Sequence, residues 1–312
     1  VDCIVVAHDE DHPMSYATHY DAALTGEIRA PNDGLAKMTL DERKVVARRA
    51  CFSLKPGKVV NLGIGLPEGV AFVASEEGLL DYITLTTEPG VFGGLPASGR
   101  NFGPSINADA IVEMNQMFDY YDGGGLDMCF LGAAQISKEG DVNVSRMLKN
   151  KLTGPGGFLD ISQNTKNICF MTTFTAKGLE VTVKNGKLTI KNEGLIRKFL
   201  PEVVETTFSG DEAVRRCQKV TYVTERAVFQ RSAEHDRLEL IEIAPGVDLQ
   251  TDVLDQMDFE PVVSPYLSVM DSRIFSDEKM CLDMFGSLQD RVSYHEKEHA
   301  LFLDLAAIAI DT

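Results

Sequence analysis

The sequence predicts an α/β protein built on an open, mixed, largely parallel sheet with flanking helices, and three observations carry that expectation. Val59 to Gly99 reads as strand, glycine turn, helix, strand and a second glycine turn. Further apolar runs rich in β-branched and aromatic residues (LDMCFLG, NICFMTTF, VTYVTERAVFQR, RLELIEIAP) read as buried strands. Strands outnumber helices in the second half, where LEVTVKNGKLTI alternates around Asn185-Gly186 as a hairpin with a type I′ turn, so the sheet is expected to be mixed.

Taken in order, VDCIVVA (1–7) reads as a strand, the last of a preceding domain. Residues 8–39 are polar, broken by Pro and Gly and without sustained periodicity, which fits a linker or wrapping arm. A helix is expected from Leu40, with Asp41 and Glu42 in its first turn and Arg48 and Arg49 near its end, stopping before Pro56-Gly57. VVNL is a strand and GIGLP a turn, with Pro67 placed as a first helical residue. EGVAFVASEE is a helix that Gly78 stops, and YITLTT is a buried parallel strand that delivers Glu88 into a Pro-Gly turn. ISKEGDVNVSRM reads as a hairpin turning at Glu139-Gly140, and KLTGPGGFLDISQN carries another glycine loop. LQTDVLDQM is expected to be a helix, as is the amphipathic stretch SYHEKEHALFLDLAAIA near the end. The division that follows is residues 1–39 as domain end plus arm, and 40–312 as one catalytic domain.

Composition narrows the function classes. A chain of 312 residues, 44% hydrophobic, can bury a sizeable core. It has no uninterrupted apolar run of about 18 residues, so no membrane span is expected. The net charge of −17 argues against nucleic acid, and requires that any anionic ligand be met by a local basic patch and backbone amides. Six cysteines are scattered without a CxxC pair, as in reduced cytoplasmic thiols.

Glu88 invites a functional reading because it sits at the carboxyl end of a parallel strand, where ligands bind in open α/β sheets. Small residues around it, in the Gly93-Gly94 turn and in the loop Gly154 to Gly157, let a ligand approach backbone N–H groups. Leu85, Val91 and Phe92 are placed to desolvate its carboxylate. Two other readings compete. Glycines at 63, 65 and 69, with Glu88 as a ribose acid, sketch a dinucleotide site, but the spacing is loose and Pro67 stands where backbone donors belong. His295-Glu296-Lys297-Glu298-His299 matches the H-E-x-x-H zinc-peptidase pattern, with His295, Glu296 and His299 as ligands and base. No third ligand suits it, and its charged neighbours fit an exposed helix.

The segments NLGIGLPEGVA, TTEPGVFGGLPASG, LGAAQISKEGDVNVS, GPGGFLDISQN, TFTAKG and YVTERAVF, in that order, resemble the C-terminal half of family I CoA-transferases. The likeness is to the bacterial acetate/propionate (short-chain acyl) type and, more distantly, to succinyl-CoA:3-ketoacid CoA-transferase, whose glutamate turn is written ENG. The resemblance implies a CoA-transferase-like fold and ping-pong transfer of coenzyme A between acyl-CoA and a small carboxylic acid such as acetate, through a glutamyl-CoA thioester on Glu88. It implies an oxyanion donor in the N–H of Gly157, a thioester and pantetheine loop at Gly63, Ile64 and Gly65, and CoA contacts at Lys177 and, further on, Gly132 and Ala133. Coenzyme A is then a substrate, with no prosthetic group and no metal. The family's N-terminal half is expected as a separate chain or a cleaved segment, in a cytoplasmic homo-oligomer. An acyl-CoA hydrolase on the same scaffold is the alternative.

Overall fold

A computed structural model describes residues 1–31, 37–148, 151–284 and 292–303. Its centre is a ten-stranded sheet. In chain order the strands are β1 (Lys58–Leu62), β2 (Ile83–Thr87), β3 (Val91–Phe92), β4 (Ala110–Ile111), β5 (Met128–Gly132) and β6 (Asn167–Met171). They continue as β7 (Lys219–Val223), β8 (Ala227–Arg231), β9 (Glu239–Ile243) and β10 (Val262–Val269). Across the sheet they run β10-β9-β8-β7-β6-β5-β1-β2-β3-β4. The block β7-β6-β5-β1-β2 is parallel, and antiparallel pairs flank it on both sides. The sheet is therefore mixed with a parallel heart, as the sequence predicts.

Alternate side chains along these strands feed two separate cores, because successive strand residues point to opposite faces. Met128, Phe130, Cys169 and Met171 join one core, while Cys129, Leu131, Ile168 and Phe170 join the other. The first is covered by α1 (Glu42–Cys51) and α2 (Gly69–Glu77). Asp41 caps α1 by accepting from the Lys44 N–H at 3.0 Å, and Val45, Val46, Ala47 and Ala50 are buried inside it. Arg49 reaches β9 with a two-pronged contact to Glu242, 2.6 Å on each arm. Gly78 ends α2 at φ +76°, the left-handed cap that the sequence predicts there. The second core lies under α3 (Met114–Asp122), α4 (Phe158–Asn164) and α5 (Gly210–Arg215). It is dominated by rings, Phe170 packing against Phe158, Phe208 and Tyr222 at 4.9–5.9 Å.

Several expected elements take a different form. Residues 1–7 are exposed and form no strand, since no other strand lies beside them to complete a ladder. VTYVTERAVFQR is two strands rather than one, because Thr224 folds the chain back and its hydroxyl bonds Ala227 on both its N–H and its C=O. Leu249–Gln256 is a single wide turn followed by a tight one, rather than an α-helix. The expected terminal helix is a hairpin over its described part, Val292–His295 paired with Ala300–Leu303. Its residues alternate with period two, which puts Tyr294 opposite Leu301. Residues 304–309 of that expected helix lie outside the described residues. The hairpins at Glu139-Gly140 and Asn185-Gly186 form as predicted, the latter with φ +53° and +72°.

The polar segment before α1 lies along the loop that follows the Glu88 turn. Ser15 and Thr18 hydroxyls both donate to Asn101 Oδ1, at 2.6 and 3.0 Å, and Ala30 and Asn107 exchange two bonds of 2.9 Å. All six cysteines are free thiols, with Cys51, Cys129 and Cys169 buried. Burial pushes the Cys169 thiol up to about 12, so it stays protonated. Among the described residues no helix is long and apolar enough to cross a membrane.

Candidate active site

Strand β2 ends at Thr87, and Glu88 opens the turn that leaves it. The Gly90 N–H closes that turn on the Thr87 carbonyl at 3.1 Å. Gly90 has φ +118°, and a Cβ there would stand 2.0 Å from the carbonyl oxygen of Val112, so the turn demands glycine twice over. The Val112 N–H donates to the Gly90 carbonyl at 2.8 Å, and the Thr87 hydroxyl donates to the carbonyl of Gly103. The carboxylate is thus mounted on backbone anchored from two directions.

Glu88 faces a cleft of about 520 Å³ that runs over the carboxyl ends of β1, β2 and β5. Gly63, Ile64, Gly132 and the loop Thr153–Gly157 line it, together with Phe102, Met114, Phe118, Leu131, Phe158 and Ile161. Gly157 precedes α4 as its cap residue, where N–H groups have no partner within the helix. A Cβ on Gly157 would lie 3.2 Å from two ring carbons of Phe118 and 3.4 Å from Cγ of Glu88. Close approach favours glycine there, since its φ of −76° is open to any residue.

Behind the carboxylate is a buried polar relay. The Asn61 amide donates to the Tyr121 hydroxyl at 3.2 Å and to the Thr86 carbonyl at 3.4 Å. Tyr121 donates to Thr86 Oγ1 at 3.0 Å, and Thr86 in turn donates to the Val60 carbonyl at 3.3 Å. Glu88 Oε2 and Asn61 Oδ1 are both buried without a hydrogen-bond partner among the described residues. Burial pushes the Glu88 carboxyl above its usual range, while its own backbone N–H and the Asn61 side chain pull it partly back. Burial also raises the Tyr121 hydroxyl, with the Glu88 charge adding to it, so Tyr121 remains a proton donor. Among the described residues no cation lines the cleft. A buried carboxylate oxygen left unpaired is costly, and such groups concentrate where chemistry needs a reactive charge.

The structure brings Glu88, Gly157, Gly63, Ile64 and Gly132 together at one cleft. Gly65, at φ +92°, and Ala133 adjoin lining residues but are not part of the wall. Lys177 is exposed and stands outside it. His295 and His299 flank the turn of the terminal hairpin, with His299 Nδ1 3.2 Å from the Tyr294 hydroxyl, so the helix that the zinc pattern needs is not formed. Sequence reasoning missed Asn61, Tyr121 and Phe118. Asn61 carried a signal, a buried amide between the apolar residues Val60 and Leu62; Phe118 carried none, because a ring on a helix reads as core.

No family model matches the sequence. The chain is 47% identical over 288 residues to a caffeate CoA-transferase of Acetobacterium woodii, covering 91% of this chain and 54% of that protein. It is 30% identical over 222 residues to the acetate CoA-transferase subunit beta of Escherichia coli K12, covering 68% of this chain and 90% of that subunit. Among solved structures, an acyl-CoA transferase from E. coli O157:H7, determined as a thioester complex with CoA, superposes with a TM-score of 0.73 at 46% identity, over 80% of this chain and 47% of that one. The chain therefore spans about half the length of the first of these curated relatives and nearly all of the shorter subunit.

Proposed function

The chain belongs to the family I CoA-transferases, and we propose that it carries the nucleophilic half of an enzyme that moves coenzyme A between a short-chain acyl-CoA and a carboxylic acid such as acetate. The observation that carries this reading is the half-buried Glu88 carboxylate, its Oε2 buried without a partner among the described residues, facing the cleft beside Gly157.

That geometry supports the covalent route that the family resemblance implies. A Glu88 oxygen attacks the thioester carbon, the C–S bond breaks, and an acyl-glutamyl anhydride and CoA thiolate result. The thiolate attacks the glutamyl carbonyl carbon and expels the original acyl group as its carboxylate, leaving a glutamyl-CoA thioester. An incoming carboxylate reverses the two steps and departs as the new acyl-CoA, with Glu88 regenerated. No electron is gained or lost across the cycle, so no redox cofactor is called for. Each attack places negative charge on a carbonyl oxygen, and the Gly157 N–H is the donor we assign to it. The raised pKa suits a nucleophile, because a more basic carboxylate is a stronger attacking group once ionised. Gly63, Ile64 and Gly65 would flank the thioester arm, with Gly132, Ala133 and exposed Lys177 along the rest of CoA.

The length relations support a second α/β half beside this one, as a separate chain or a contiguous segment, with the cleft between them. Assembly of such units into a homo-oligomer in the cytoplasm belongs to the same proposal. Residues 1–39 would then be connector and arm, and 40–312 the catalytic domain.

Incubation of the assembled enzyme with acetyl-CoA, followed by borohydride or hydroxylamine, should modify the peptide containing Glu88, as read by mass spectrometry. An unmodified Glu88 with active turnover would refute the mechanism. Hydrolysis on the same scaffold differs only in that water intercepts the intermediate. CoA release that is independent of added acetate would favour it.

A further inference from the structure

The direction in which Glu88 leaves β2 depends on the residue before it. Thr87 is 1% exposed, and its hydroxyl donates to the Gly103 carbonyl. Gly103 stands at φ +131°, where a Cβ would lie 3.4 Å from Cγ of Pro89. The same residue thus touches the chain on both sides of Glu88, and its neighbour Phe102 lines the cleft. Residues 97–107 form a loop whose middle rests on the Glu88 turn. Its base is a short ladder, Leu95–Pro96 paired with Ser105–Ile106, closed by the Ala97 N–H on the Pro104 carbonyl at 2.9 Å. An isolated pair of two-residue strands is too short to hold a loop tip in place by itself.

The arm before α1 supplies the rest of the hold. Ser15 and Thr18 close a turn on each other, the Ser15 N–H donating to the Thr18 carbonyl and the Thr18 N–H to Ser15 Oγ, both at 3.0 Å. That turn presents both hydroxyls to Asn101 Oδ1, at 2.6 and 3.0 Å, which occupies both lone pairs of one carbonyl oxygen. Tyr16, between them, lies under the Arg100 guanidinium at 4.4 Å. At the far end of the loop, Asn107, at φ +61°, exchanges two bonds with Ala30, and its carbonyl accepts from Arg29 at 2.6 Å. The loop is clamped on both sides of Phe102 and Gly103 by a segment far earlier in the chain. Resting on the assignment of Glu88 as nucleophile, we propose that Asn101 is a positioning residue for its acylation. The arm holds the loop through Asn101, the loop holds Thr87 through Gly103, and Thr87 fixes the carboxylate that follows it. The arm then acts on the chemistry as well as leading into α1.

The test uses the assembled enzyme with acetyl-CoA, and reads the single-turnover rate of Glu88 labelling per folded molecule together with steady-state kcat and KM. Displacing a reacting group by a fraction of an ångström should slow both labelling and kcat in Asn101→Ala by about tenfold, with KM for acetyl-CoA within about twofold of the unaltered enzyme. Asn101→Asp keeps an oxygen that accepts both hydroxyls, so it should label within about twofold of the normal rate. Ser15→Ala combined with Thr18→Val should reproduce the loss, and adding Asn101→Ala to that pair should slow labelling no further, because all three changes remove one contact. If Asn101→Ala failed to fold, the arm pair would decide alone. A contact that only stabilises the fold would lower Tm and leave the labelling rate of folded enzyme unchanged, which would overturn the proposal. An aspartate variant as slow as the alanine one, or arm variants labelled at the full rate, would do the same while Glu88 labelling in the unaltered enzyme still stood. Absence of labelling in the unaltered enzyme would overturn the nucleophile assignment and this proposal together.

Discussion

Two glutamates, one half-buried and one fully buried, sit past the ends of parallel strands in the same sheet, and they could hardly be treated more differently. Glu88 follows β2 with one oxygen unpaired and, among the described residues, no cation in its cleft. Glu225 follows β7 fully buried, donated to by the Arg226 guanidinium at 2.8 Å and by the Phe174 N–H at 2.9 Å. Arg226, also fully buried, extends to Glu193 at 2.6 Å and lies 4.8 Å over the Phe174 ring. Burial opposes its charge, but Glu225 and Glu193 leave its pKa above the usual value. Position at a strand end is shared, so position alone does not make a residue reactive. What separates them is satisfaction: a paired carboxylate holds a fold together, and an unpaired one facing a cleft is available to a substrate.

The comparison breaks most directly at Glu88. Replacing it by Ala should reduce transfer by about 10⁴-fold or more while leaving the folded chain intact, as kinetics and circular dichroism together would record. At the other glutamate the consequence should be inverted. Glu225→Ala removes one of the two carboxylates on a buried guanidinium and leaves the buried Phe174 N–H without its acceptor, an effect of about 1–3 kcal/mol on stability, visible as a drop in Tm, with turnover per folded molecule largely retained. If Glu225→Ala instead abolished turnover in a protein that melted normally, the contrast drawn above would be wrong.

Gly157→Ala sharpens the picture on a smaller scale. The added methyl must displace the Phe118 ring or the Glu88 stem by a few tenths of an ångström, so about a tenfold loss in kcat is expected, with little change in Tm. The smallest effect concerns pH. Glu88 must be ionised to attack, and its pKa is raised by burial, so acylation should decline as pH falls through a value above that of an ordinary glutamate. A carboxyl with a raised folded-state pKa destabilises the fold at neutral pH and not below its unfolded pKa. Glu88→Gln should therefore raise Tm by a few degrees near pH 7, with the gain disappearing in acid as thermal melts are repeated at decreasing pH. An acid limb at the usual glutamate pKa, or a gain that persists at low pH, would remove the argument from burial.

Much of this was legible in the chain, and for a common reason. The unit β1–α2–β2, the Gly78 cap, the Asn185-Gly186 turn and the placement of Glu88 depend on residues a few positions apart, so pattern and turn chemistry suffice to read them. The misread features are not announced by the local pattern, even where the bonds that settle them are local. Nothing within TERA announces a reversal. Its turn is closed by the Thr224 hydroxyl, and its buried Arg226 is matched by Glu193, a residue far along the chain. The terminal stretch supports helix and strand periods about equally, and cross-strand pairing of Tyr294 with Leu301 settles it as a hairpin.

The site divides in the same way. That a carboxylate emerges on glycine-rich backbone at the end of a buried parallel strand is local, and the sequence states it. That Gly157, Phe118 and Gly63 share a cleft with that carboxylate, and that Asn61 and Tyr121 stand behind it, is decided by how β1, β2, β5, α3 and α4 pack. Convergence of side chains from distant segments is a property of the tertiary structure. Desolvation is too, because a group loses its water only when something else occupies the space around it.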